Sequence, residues 1–324
     1  LDYNLATRHV RLANVRVSAV GGAQPFFVAD EVMAAVSQRV FFGEVAFDEV
    51  SIRNGAVHIV RRADGTTNLP KSSGTSTGDP APLPIARVSA PRLAVEYRDE
   101  PADLTFRAPS LTVDLSSRGR LAIEAPADFS IGMTSTRFET IESDAAFDGR
   151  DLHLSNLRLI APELRAQIEG TLALLRQQPS LDLRVTGDTE LENAAKWWSE
   201  TGAPPRGSVH VAGTVSGPLG DPSANLQVTS NRVTWQRLDV GSVSGRLRLD
   251  DEGVEIDESR AVIAGGQVTA TGGLAFESSG AHVQASWRDV DAAQFVAVLS
   301  GGSVTPSGRA SGEMTASGSI KSIE

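Results

Sequence analysis

Apolar and polar residues alternate with period two along nearly the whole length of this chain. Side chains alternate across a strand, so this pattern buries one face of a sheet and wets the other. It runs through "LTVDL" (Leu111, Val113, Leu115), "SVHVAGTV" (Val209, Val211, Val215), "NLQV" (Leu226, Val228), "GRLRLDDEGVEID" (Leu247, Leu249, Val254, Ile256) and "GGQVTATG". "HVRLANVRV" carries Val10 and Leu12, then Val15 and Val17. "VSIRNGAVHIV" carries Val50 and Ile52 before an Asn-Gly pair and Val57 and Ile59 after it, which predicts a hairpin turning at Asn54-Gly55. Short strands at regular spacing, punctuated by Gly, Asn, Asp and Pro, predict an all-β meander, sandwich or solenoid.

Two segments depart from the alternation. "DTELENAAKWWSE" has Thr189 three residues before Glu192, with Leu191, Ala194, Ala195 and Trp198 on one helical face, which predicts a short amphipathic helix over 189–200. "DVDAAQFVAVLS" offers Asp291 as a cap and Ala292, Phe295, Val298 and Leu299 as an apolar stripe. "ADEVMAAVSQRV" fits either period and is read as a strand. The Ala-Ala pairs at 194 and 292 lie 98 residues apart (292 − 194), each after a strand-like run and before a ladder of glycines. That spacing predicts a repeat of strand, short helix and β meander in an elongated array.

The segments are then 1–70, a β region; 71–84, a Ser/Gly/Pro linker; 85–180, a β meander; 181–280, a β repeat with its helix; and 281–324, the start of a second repeat. The chain opens without Met or a signal-like stretch and is expected to be a piece of a longer protein.

Composition removes several functions. Forty acidic against 30 basic residues give a net charge of −10, which repels nucleic acid. With no Cys there are no disulfides, zinc-thiolate sites or cysteine nucleophiles, a composition that fits an extracytoplasmic setting. The histidines, His9, His58, His153, His210 and His282, are scattered, and His58, His153 and His210 fall on the polar phase of strands. The literal G-x-S-x-G at 74–78 lies in the linker, without the strand and helix that a nucleophile elbow requires. "RRADGTTNLP", 61–70, supplies too few ligands for a metal and reads as a turn. No catalytic residue, metal ligand or cofactor site is expected, and the chain reads as non-enzymatic.

"FFGEVAFDEVSIRNGAVHIVRRADGTTNLP", 41–70, resembles the segment of AsmA-like and TamB-like proteins in which strands lead to an Asp-Gly turn and an Asn-Leu pair. The stretch 207–274, with its "GSVHVAGTVSGPLGDP" opening and "GGQVTATGG" close, is similar to the TamB repeating unit. The resemblance implies a periplasmic protein whose parent chain is anchored in the inner membrane by an N-terminal segment. It implies a long, mostly antiparallel β-sheet folded over into an apolar groove, conducting phospholipid toward the outer membrane or assisting outer-membrane protein assembly. It also implies phospholipid acyl chains as ligands and an outer-membrane barrel protein as a partner, met through a region with no counterpart here. The groove lining would include Val209, Val211, Val215, Leu226, Val228, Leu247, Leu249, Val254, Ile256 and Val268. Aromatic residues are few, 11 Phe, 4 Trp and 2 Tyr, and a mainly aliphatic wall suits an acyl chain. The alternative is a structural or adhesive extracytoplasmic β-repeat spacer with a dry core, because alternation equally suits a face packed on a second sheet.

Overall fold

A computed structural model describes residues 2–4, 8–19, 24–69, 82–176, 178–194, 204–235, 238–276, 278–299 and 307–319. The protein is all-β, a mostly antiparallel sheet that is not closed into a barrel, with two short helices. The backbone divides into two compact units, Leu1–Pro162 with Gln167–Pro179, and Glu163–Ala166 with Ser180–Glu324.

The first unit contains β1 (Asp2–Asn4), β2 (His9–Val17), β3 (Phe27–Val36), a 3-10 turn (Gln38–Phe42), β4 (Phe47–Arg61), β5 (Val88–Asp99), β6 (Leu104–Leu115), β7 (Gly119–Ile123), β8 (Ala127–Ile131), β9 (Thr134–Phe138), β10 (Thr140–Phe147), β11 (Leu152–Ala161) and most of β12 (Leu164–Ala173). "ADEVMAAV" is strand, as its period-two reading predicts. Strands β1 to β6 pair in sequence order; β6 then pairs with β7 through one half and β8 through the other. The β4–β5 pair is parallel, unlike the others. The predicted linker, 71–84, lies between those strands and falls mostly outside the described residues, as does the G-x-S-x-G. Its end is tied down, since Phe47 N–H donates to Pro84 O at 2.7 Å and Ala86 N–H to Phe47 O at 2.9 Å.

The hairpin expected at Asn54-Gly55 does not form, because β4 runs unbroken through both residues. A type I′ turn needs two successive residues with φ > 0. Asn54 has φ 49°, whereas Gly55 is not among the positive-φ residues. A single left-handed residue inside a strand shifts the alternation by one, so apolar residues on either side of it meet on the same face. A Cβ added at Gly55 would lie 2.8 Å from Ile52 Cγ2 and 2.8 Å from Leu93 Cδ1, which places 52 and 55 on one side. Asn14 (φ 52°), Asn156 (φ 54°) and Asp289 (φ 58°) are the same device in β2, β11 and β20 (Gly280–Asp291). Around Asn156, buried Leu152 and Leu154 pack with Leu157, three residues beyond Leu154 rather than two.

The loop 61–69 is a turn, as its residues predict. Asp64 Oδ1 accepts from Thr66 N–H at 2.9 Å and Thr66 Oγ1 at 2.6 Å, and these bonds hold the exposed carboxyl below the usual Asp range. Asn68, buried, substitutes for a strand residue: its Oδ1 accepts from Val60 N–H at 2.9 Å and its Nδ2 donates to His58 O at 2.7 Å. Beside it, Asp99 is buried and accepts from Arg61 Nη1 at 3.2 Å, Tyr97 O–H at 3.0 Å and Ala102 N–H at 3.3 Å. Burial pushes the Asp99 pKa up, but the Tyr97, Arg61 and Ala102 hydrogen bonds outweigh it and the net shift is downward. A depressed folded pKa contributes stability above the unfolded value that is lost as pH falls through the folded one. Asp99→Asn is therefore expected to lower the melting temperature at neutral pH. In melts from about pH 7 to about pH 3, its deficit should shrink as pH drops below the ordinary carboxylate range; a constant deficit would refute the linkage.

The second unit contains β13 (Ser180–Glu190), α1 (Leu191–Ala194), β14 (Ser208–Pro218), β15 (Ser223–Ser230), β16 (Val233–Trp235), β17 (Leu238–Leu249), β18 (Gly253–Ile263), β19 (Gly266–Ala275), β20, α2 (Ala292–Leu299) and β21 (Arg309–Ser319). The pairing order is β13-β14-β15-β17-β18-β19-β20-β21, antiparallel throughout, with β16 also on β17. Asp291 caps α2 as predicted, its Oδ1 accepting from Ala293 N–H at 2.9 Å and Gln294 N–H at 3.2 Å. Thr189 does not cap α1; it is the penultimate residue of β13, and its hydroxyl donates to Glu163 O. Residues 195–200, including Trp197 and Trp198, lie outside the described residues.

A repeat exists, but its offset is 101 residues rather than 98. The helix starts Leu191 and Ala292, the left-handed glycines Gly207 and Gly308, and the strands β14 and β21 all stand 101 apart. In each copy the first helical N–H donates to the glycine carbonyl, Leu191 to Gly207 at 2.8 Å and Ala292 to Gly308 at 2.9 Å. β11 is irregular between Ser155 and Arg158 against β10, and β18 between Ile256 and Ser259 against β19, at positions again 101 residues apart. Matching the Ala-Ala pairs misaligns the copies by three residues, because strand ends and the glycine turn set the backbone register and the letters of the helix do not.

Candidate functional site

The ten predicted lining residues all fall on one face of the second unit's sheet, in four adjacent cross-strand rows. The first row is Leu183, Val215, Ala224, Leu249, Val254, Leu274 and Ala281, each opposite the next. The second is Val185, Gly213, Leu226, Leu247, Ile256, Gly272 and Val283. The third passes through Gly187, Val211, Val228, Gly245, Ser259, Ala270 and Ala285. In the fourth, Val209 stands opposite Thr189, and Val243, Ala261, Val268 and Trp287 follow Ser230.

No charged residue or histidine occupies these rows. At about 4.8 Å per strand the six steps from β13 to β20 span about 29 Å of sheet. The wall is shallow because Gly187, Gly213, Gly245 and Gly272 carry no side chain at their positions. Two of these glycines answer to close packing: a Cβ at Gly213 would lie 2.0 Å from Asn225 O, and one at Gly272 2.5 Å from His282 O. The other partners in the rows, such as Leu183, Val185 and Val283, follow the same alternation in "LDLRVTG" and "AHVQASW", outside the predicted lining.

None of the ten is fully buried: nine are half-buried and Leu249 is 40% exposed. A face packed on a second sheet buries its large aliphatics almost completely. Among larger side chains full burial occurs at the edge of this face, where Leu238 and Val290 form a closed cluster with Ala264, and Val268 and Trp287 pack against it. Val268 thus belongs to a packed end of the wall and the other nine to its open part.

The opposite face is polar. His210 Nδ1 meets Asp188 Oδ1 at 2.8 Å, Thr269 meets Ser286 at 2.8 Å, and Arg248 lies 3.7 Å from Asp257. His58 and His153 likewise face solvent, within 3.3 Å of Glu96 and 3.6 Å of Asp148. Cross-strand register creates these pairs, so only knowledge of the pairing exposes them in the sequence. Among the described residues no group of three or more His, Asp or Glu side chains is placed to hold a metal ion, and no helix is long and apolar enough to cross a membrane.

The arrangement offers apolar contact and no reactive group. Each methylene removed from water onto such a wall contributes about 0.8 kcal/mol, summed along a chain without directional demands. No family model, curated protein or solved structure matches this chain.

Proposed function

We propose that this protein is a non-enzymatic module of envelope biogenesis whose apolar sheet face carries phospholipid acyl chains between membranes, in the manner of the TamB-like proteins that its sequence resembles. The observation that carries the reading is the charge-free set of rows, wide, aliphatic and only half-buried. Such a wall accepts a flexible hydrocarbon, because the gain from burial is non-directional and independent of chain register. A periplasmic location, with the parent chain held at the inner membrane, and an outer-membrane barrel partner belong to the same proposal. They rest on the resemblance of 41–70 and 207–274.

Photo-crosslinking residues placed at Val211, Leu226, Leu247 and Ile256 are expected to trap phospholipid in cells. Placed at Ser208, His210 and Arg248, on the other face, they are expected to trap little. Equal adducts on both faces would overturn the reading in favour of a spacer.

A further inference from the structure

We infer that the turn between β3 and β4 is a membrane-docking tip, which inserts Phe41 and Phe42 into the interfacial layer of a phospholipid bilayer. The inference stands apart from the apolar wall of the second unit, since a dry spacer would carry the same tip. Ser37 N–H donates to Ala46 O at 2.8 Å and closes the base of the turn beside the last rung of the β3–β4 ladder, Val36 opposite Phe47. Between them lies "QRVFFGEV", 38–45, whose 3-10 turn buries none of its residues. Phe41 is 73% exposed, Phe42 86% and Val45 67%. Aromatic and aliphatic side chains clustered in water on a projecting turn mark an interaction site, unlike single exposed apolar residues scattered over a surface.

The geometry of the turn selects the occupant. Successive side chains leave a 3-10 helix about 120° apart, because it has about three residues per turn. Val40, Phe41 and Phe42 therefore point to three sides of the tip. A protein surface covers one side of such a projection, whereas a fluid hydrocarbon layer closes around all three, because the gain from burial is non-directional. The backbone suits that medium, in which main-chain polar groups must be satisfied internally. Val40 N–H donates to Ser37 O at 3.2 Å, Gly43 N–H to Val40 O at 3.1 Å and Glu44 N–H to Arg39 O at 3.2 Å. Arg39 and Glu44 flank the apolar run, one on each side, and their charges cancel, while the whole chain carries −10. A zwitterionic headgroup layer offers a phosphate to the one and an ammonium to the other; anionic lipid offers no advantage.

The protein is expected to float with phosphatidylcholine vesicles, to the same extent when NaCl is raised to about 0.5 M and no better when phosphatidylglycerol is mixed in. Phe41→Ser combined with Phe42→Ser, both exposed and therefore neutral to the circular dichroism spectrum, should lower the partitioning by about tenfold or more. Because the chain has no Cys, Val45→Cys carries an environment-sensitive fluorophore at the tip alone. Its emission is expected to shift to the blue on the vesicles and to be quenched by brominated acyl chains, whereas the same label at Gln227→Cys, exposed on the polar face, should not respond. Flotation reports the tip and adducts at Val211 and Leu226 report the wall, so the two readings fail separately. No flotation, flotation that survives the loss of both phenylalanines, or a label at 45 that stays in water while the protein floats would each overturn the inference. So would a blue shift that grows with protein concentration without vesicles, because the tip would then bury against a second copy.

Discussion

Gly207→Ala is expected to destabilise the protein far more than the equivalent Gly308→Ala, although the two glycines hold the same place in the repeat. Both lie in the left-handed region, Gly207 at φ 133° and Gly308 at φ 108°, so either substitution incurs backbone strain of about 1–3 kcal/mol. Only Gly207 adds a collision: its Cβ would stand 2.3 Å from Arg232 O, whereas nothing lies within 4 Å of a Cβ at Gly308. The neighbour at Gly207 is backbone, held close because Arg206 and Thr234 exchange hydrogen bonds at 2.8 Å in each direction. Relieving the clash means moving that pairing, which adds about 1–3 kcal/mol. Urea unfolding of the two variants separates the terms. Equal losses would mean that the close approach at Gly207 contributes nothing and conformation alone selects glycine.

The repeat shows where sequence was enough and where it was not. Alternation locates strands because a sheet with one dry face has no other way to arrange its side chains, and every alternating run quoted above lies in a strand. Asn14, Asn54 and Asn156 are visible as breaks in that phase, yet a break is equally what a turn produces. Only whether the next residue also adopts φ > 0 separates a hairpin from a strand that corrects its own face. The parallel β4–β5 pair was illegible, because period two is identical in parallel and antiparallel strands and the crossing runs through a Ser/Gly/Pro segment. The candidate wall was legible residue by residue, since Val209 to Val268 share a phase. What covers it was not, because alternation says which side is apolar and is silent about the next layer.

That missing layer decides the outcome for Leu247→Glu combined with Ile256→Glu. The two residues stand directly opposite each other in the second row of the wall. In a dry core, two facing carboxylates would each lose several kcal/mol of hydration, and the chain would not fold with them ionised. On a face open to solvent or to a displaceable lipid they keep much of their water, and cross-strand repulsion together with lost aliphatic contact should lower stability by about 1–3 kcal/mol. The expected result is a double variant that keeps its β circular dichroism spectrum and melts cooperatively at a lower temperature. It should also lose the phospholipid that native mass spectrometry is expected to find with the unaltered protein. Gln227→Glu, on the polar face one residue from Leu226, should change neither property. A double variant that fails to fold would establish the dry spacer, and one that folds and retains lipid would show that phospholipid rides elsewhere on the molecule.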